Sequence, residues 1–194
     1  ANPFSPIPSF TGKLWGSGYT VSNFYYQNAG ESNVGLFATT SSATISNLNL
    51  DSVDVEGYSS VGALVGTANS TIIDDVHVSG SIVGSGTGET RVGGIVGNST
   101  GAAAASIMRN SSANVTVVGG GLWTGGLIGS SGCGLISKSW AMGSITGTDG
   151  VGGLSGVNAT IEDSYATAAI ARTAPGGLGA GGLEGAFGGC TINR

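Results

Sequence analysis

One block of sequence recurs six times and limits what this 194-residue chain can fold into. It reads Val34-Gly-Leu-Phe-Ala-Thr39, Val61-Gly-Ala-Leu-Val-Gly66 and Val92-Gly-Gly-Ile-Val-Gly97. It continues as Thr124-Gly-Gly-Leu-Ile-Gly129, Val151-Gly-Gly-Leu-Ser-Gly156 and Ala180-Gly-Gly-Leu-Glu-Gly185. A second block trails it in phase: Thr44-Ile45, Thr71-Ile72, Ser106-Ile107, Leu135-Ile136, Thr160-Ile161 and Thr191-Ile192, with Thr20-Val21 as its apparent first copy. A period of roughly 25 to 35 residues means stacked units that bury a core only against their neighbours. Helical repeats of that length avoid interior glycine, whereas each unit here carries several glycines and β-branched residues. Short apolar runs between Gly, Asn and Ser read as strands with sharp corners. The fold expected is all-β, a right-handed parallel β-helix (β-solenoid) of about six to seven coils.

Composition removes several alternatives. The 38 glycines do not recur every third residue, which excludes collagen. Charged residues make up only 9% and the six Lys and Arg are scattered, so no basic stripe exists for nucleic acid. No apolar run approaches the length of a membrane span. The chain begins at Ala1, as expected of a mature secreted form or an excised segment.

Two residues beyond the Val or Ile of the second block stand Asn23, Asn47, Asp74, Arg109, Lys138 and Asp163. Asn and Asp tolerate the left-handed backbone that a corner demands, so these positions are expected to form a corner ladder, interrupted at Arg109 and Lys138. Lys138 is expected to pair with Asp163. The residues preceding each Val or Ile (Thr20, Thr44, Thr71, Ser106, Leu135, Thr160 and Thr191) are expected to form an outer, largely hydroxyl row.

These residues resemble GLUG-repeat proteins, named for a Gly-Leu-any-Gly core. The similarity is strongest at Val151-Gly-Gly-Leu-Ser-Gly-Val-Asn-Ala-Thr-Ile-Glu-Asp-Ser-Tyr-Ala-Thr167 and extends to the opening from Phe4 to Phe24. The resemblance implies bacterial surface proteins, adhesin-like proteins or the non-catalytic part of immunoglobulin A1 metallopeptidases, hence an extracellular or cell-surface location. The chain departs from the pattern at Val34-Gly-Leu-Phe-Ala-Thr39, which lacks the second core glycine, and at the insertion Gly101 to Ala105. The division expected is an N-terminal cap and first strand over residues 1–24, with Pro3, Pro6 and Pro8 blocking strand addition and Phe4 and Phe10 covering the core. Solenoid repeats over 25–194 would continue from it as one domain.

Chemistry-bearing motifs are sparse. His77 is a lone histidine beside Asp74 and Asp75; it reads as a polar strand residue, or else as a metal ligand or general base. No second histidine or HExxH motif exists for a zinc centre, and neither a calcium nonapeptide nor a phosphate-binding loop is present. No catalytic residue, metal or cofactor is therefore assigned. Asp74 and Asp163 would share a column three coils apart, about 14 Å, too far for a glycosidase pair.

Tyr25, Trp140 and Tyr165 are expected in one column. Trp140 and Tyr165 fall on adjacent coils as a ligand platform, unless they pack inside or under a loop. Cys133 and Cys190 count as two coils apart, about 10 Å, beyond bridging distance. Free buried thiols are expected, unless Ser130–Gly134 protrudes.

The leading functional expectation is a non-catalytic extracellular stalk or binding module, adhesin-like, with glycans or host or neighbouring surface proteins as partners. Nucleic acid and membrane insertion are not expected. The alternatives are a self-assembling filament subunit joined through an uncapped C-terminal coil, a carbohydrate-active β-helix enzyme and, as a minor reading, an ice-binding face.

Overall fold

The computed structural model describes residues 4–101, 105–175 and 177–193. Pro3 of the expected cap, residues 102–104 of the insertion and Arg194 lie outside them. The described chain winds into a β-solenoid of about six turns built from parallel sheets, with no α-helix among the described residues. Seven strands, one per passage, make the first sheet: Ile7–Phe10, Phe37–Ser41, Val65–Asn69, Val96–Thr100, Ile128–Ser130, Ser155–Val157 and Glu184–Ala186. A twelve-stranded sheet follows it around a corner, and a four-stranded sheet from Arg91–Gly93 to Ala180–Gly181 closes the third side.

The first block falls in register throughout. Val34 bridges Val61, and Val61 bridges Val92; the column then runs through Thr124, Val151 and Ala180. Three positions further along, Leu64, Ile95, Leu127 and Leu154 are wholly buried. The block's final glycine is required by stacking. A Cβ on Gly129 would lie 2.4 Å from the Val92 amide nitrogen of the coil before it, and one on Gly97 would lie 2.4 Å from that of Val61. No side chain fits where backbones approach so closely.

The second block is displaced from expectation in three coils. Its inward column is Leu14, Ile45, Ile73, Met108, Ile136 and Ile161, so Lys13-Leu14 takes the place assigned to Thr20-Val21. Thr20 and Val21 pair instead with Asn49 and Leu50. The first coil has six residues between Leu14 and Val21, where the second has four between Ile45 and Leu50, so counting from one block misplaces the other. Thr71 and Ser106 are consequently buried, Thr71 with its hydroxyl 2.9 Å from that of Thr40. The outer row is Thr44, Ile72, Ile107, Leu135 and Thr160, too apolar at its centre for a hydroxyl ladder.

The same displacement moves the corner. Asn47, Asp75, Asn110, Lys138 and Asp163 all adopt positive φ, between 46° and 56°. Asp75 and Asn110, not Asp74 and Arg109, occupy it, and only Lys138 departs from the Asn/Asp preference of left-handed backbone. Arg109 instead pairs with Asp74 at 2.9 Å, and no ion pair links Lys138 to Asp163 among the described residues.

Cys133 and Cys190 form a disulfide with Cα atoms 5.5 Å apart, which corrects the expectation of free thiols. The cause is unequal corner length. Residues 131–134 link Ser130 to Leu135, and residues 187–190 link Ala186 to Thr191, four in each case. The intervening coil crosses from Val157 to Thr160 with residues 158 and 159 alone. The two longer loops bulge past this short one and meet.

At the start of the chain, Phe4 packs edge-on against buried Phe24, with centroids 4.8 Å apart, and Phe10 packs against Phe37 at 4.9 Å. Ile7–Phe10 is itself the first strand of the seven-stranded sheet.

Candidate functional site

Beyond the corner, the strands Thr44–Gly57, Ile72–Gly84, Ser112–Gly119 and Trp140–Gly147 lie side by side. Alternation buries Leu50, Val78, Ala113 and Ala141 and turns their neighbours outward. One outward column holds Asn49, His77, Ser112, Trp140 and Tyr165 on successive coils. The next holds Asp51, Asn114 and Met142, with Ser79 beside Asp51. The column from Asn49 to Tyr165 is paired at every step, so its side-chain spacing is fixed by the strand ladder, whereas Asp51 stands at a bulge between Leu50 and Val53.

Trp140 and Tyr165 do lie on adjacent coils and outside the core, their rings parallel within 6° and their centroids 6.2 Å apart. Tyr165 is 53% exposed. Tyr25 is not with them; it pairs with Asp54, because the longer first corner shifts its register. His77, read from the sequence as a lone polar strand residue, stands beside them: its ring lies 6.0 Å from that of Trp140 across the small Ser112. Only the strand register puts two residues 63 apart in sequence into one column, so no local signal marked the pair.

His77 is held on both sides, with Nδ1 2.8 Å from Ser112 Oγ and Nε2 3.1 Å from Asp75 Oδ1. The order Ser–His–Asp invites comparison with a hydrolytic triad. However, Ser112 sits in a central strand paired on both sides, so its neighbouring amides are committed to the ladder and leave no oxyanion donors. Among the described residues no group of three or more His, Cys, Asp and Glu side chains gathers that would hold a metal ion.

A shallow groove of about 240 Å³ opens beside His77, lined by Asn49, Asp51, His77, Ser79, Ser112 and Asn114. Asp51 is oriented within it by the Ser79 hydroxyl, which donates at 2.6 Å, and by the Ser52 hydroxyl at 3.2 Å. Inside the coil, by contrast, a void of about 10 Å³ near Met108 and Ile128 leaves no room for a cofactor. Asp74 shares its column with Glu162 rather than Asp163, still three coils away, so no pair of carboxylates converges there.

Ionisable groups with displaced equilibria are structural. Backbone amides of Leu178, Gly179 and Gly150, with the Arg172 guanidinium, hold the Asp149 carboxyl down to about 2 against partial burial. Burial pushes the Glu184 carboxyl up, although the Ala159 amide donates to it at 2.7 Å.

Comparison with known proteins agrees with this architecture. Residues 6–80 match the family described as the M26 IgA1-specific Metallo-endopeptidase N-terminal region. Halomucin of Haloquadratum walsbyi is 38% identical over 95 residues, 48% of this chain and 1% of halomucin. An immunoglobulin A1 protease of Streptococcus sanguinis is 41% identical over 88 residues, 45% of this chain and 4% of the protease. The chain thus spans a small fraction of either relative. A Bacteroides ovatus crystal structure, of a protein named for immunoglobulin A1 protease, superposes with a TM-score of 0.60. It covers 92% of this chain and 68% of its own at 16% identity, a likeness of fold. The matching model describes the N-terminal region of that peptidase family. Over residues 6–80 the chain is similar to the N-terminal region of IgA1-specific metallo-endopeptidases, and over most of its length it shares the fold of the Bacteroides ovatus protein.

Proposed function

We propose that this solenoid is a non-catalytic, extracellular segment of a surface or secreted protein, an adhesin-like stalk that presents a binding face. The observation that carries this reading is the parallel stack from Ile7 to Ala186, which holds an outer face with exposed aromatics and, among the described residues, no carboxylate pair converging in the Asp74–Glu162 column. A stack of this kind propagates rigidly, as a stalk must. Similarity to a protein named immunoglobulin A1 protease supports the compartment, since immunoglobulins are extracellular proteins. The Cys133–Cys190 disulfide supports it independently, since such bonds persist in oxidising surroundings.

Protease shaving of intact source cells, followed by detection with antibodies raised against this segment, tests the location. Loss of signal from unbroken cells, or recovery of the segment from the medium, is the expected result. A segment protected until lysis overturns the proposal.

A further inference from the structure

We infer that the outer face between Asn49 and Tyr165 is a binding site for neutral or amino-sugar oligosaccharides, aligned across the coils. This rests on the reading of the chain as an extracellular binding face and names the ligand class of that face.

The column Asn49, His77, Ser112, Trp140 and Tyr165 spans four coil steps, about 19 Å at the spacing of neighbouring strands. Its two halves differ in chemistry. At one end is the groove, walled by amide, carboxylate, imidazole and hydroxyl groups. At the other are the Trp140 and Tyr165 rings, with Met142 exposed beside them. A sugar ring needs both kinds of contact: planar polar groups for its hydroxyls, and apolar aromatic surface for its C–H face. Peptides and flat aromatic ligands would use the rings but leave much of the polar groove unpaired.

The polar half is already oriented. His77 is fixed by Ser112 and Asp75, and Asp51 by Ser79 and Ser52, so little rotamer freedom is lost on binding. Asn114 is exposed and makes no side-chain hydrogen bond among the described residues, leaving both donors and acceptor for a ligand.

Charge then narrows the class. The outward positions of these strands carry Asp51, Asp54 and Glu56, with no Lys or Arg among them. Uronates and sialic acids would meet like charge along these strands, where the nearest unpaired cation among the described residues is Lys138 at the corner beside Trp140. Neutral hexose and N-acetylhexosamine chains suffer no such repulsion, and free amino sugars gain attraction.

The test uses the folded segment on an array of neutral, amino, uronate and sialylated oligosaccharides. Calorimetric titration with mannotetraose, cellotetraose, chitotetraose and trigalacturonate follows. At least one neutral or amino glycan should bind, trigalacturonate should not, and Trp140→Ala and Tyr165→Ala should each weaken binding by about tenfold or more. Asn114→Ala, at an exposed position outside the core, keeps the site testable if an aromatic variant fails to fold; it should weaken binding without lowering the unfolding midpoint. Three results would overturn the inference: no neutral or amino glycan bound at millimolar concentration, preference for acidic glycans, or binding indifferent to all three substitutions. Retention of a glycoprotein that survives its deglycosylation would do the same. Each of these leaves the cell-surface location, tested by shaving, untouched.

Discussion

The hydroxyl of Ser139 accepts the backbone amide of Ser111 from the adjacent coil at 3.1 Å and donates to the Ser137 carbonyl at 2.8 Å. The arrangement repeats on either side: Ser111 Oγ receives the Val76 amide at 3.1 Å, and Ser164 Oγ receives that of Ser139 at 3.0 Å. Each serine directly follows a left-handed corner residue, where the turn breaks the regular ladder and would strand an amide. A buried column of hydroxyls replaces the missing backbone acceptors.

Removing the middle rung leaves a buried donor unpaired. Ser139→Ala should therefore destabilise the solenoid by about 1–3 kcal/mol, measured by urea unfolding, whereas Ser144→Ala on the outer face should stay within about 0.5 kcal/mol of the parent. Equal effects from the two would show that the column does not bear on stability.

In the corner column of Asn47, Asp75, Asn110, Lys138 and Asp163, Lys138 alone is neither Asn nor Asp, yet its φ is 48°. Any residue with a Cβ carries a steric penalty there that glycine escapes. Lys138→Gly is expected to raise the unfolding free energy by roughly 0.5–1 kcal/mol, and Lys138→Asn by less. A loss of stability in both variants would mean that the lysine stem contributes packing that outweighs its backbone strain.

The disulfide ties two corner loops 57 residues apart, the second belonging to the last described coil. Reduction should accordingly loosen the C-terminal coil before the rest of the stack. Hydrogen exchange in Cys133→Ser/Cys190→Ser should accelerate over residues 184–193, while strands such as Ile72–Gly84 keep their protection. The full cost is expected at about 2–4 kcal/mol where unfolding is cooperative. Uniform acceleration along the chain would contradict this local role.

Asp149 gives the fold an acid limit. Its carboxyl is held near 2, below the roughly 3.9 of an unfolded chain, chiefly by the amides of Leu178 and Gly179. A depressed folded value means that the ionised form is the stabilising one. Its contribution is complete above the unfolded value and disappears as pH falls from about 4 through about 2. Asp149→Asn should flatten the pH dependence of stability in that window and release the segment around Leu178, read by hydrogen exchange. An unchanged acid profile would assign the limit to other carboxylates.

How much of this was written in the chain depends on which residues are asked. The Val34 to Ala180 column was legible at once, because each glycine-flanked block must stack directly on the last and its glycines admit no alternative. The second block was legible as a strand but not in its exact register: Ile73 and Met108 hold the positions assigned to Ile72 and Ile107. Both neighbours are apolar or hydroxylic, so pattern alone does not choose between them. The sequence by itself determined a parallel solenoid, its period, and the adjacency of Trp140 and Tyr165. Only the tertiary structure decided that His77 joins those rings, that Asp75 and Asn110 turn the corner, and that Cys133 reaches Cys190. The physical reason is common to all three. Strand pairing sets the columns, but corner loops of unequal length set which residues enter them, and that length is resolved only when neighbouring coils hydrogen-bond.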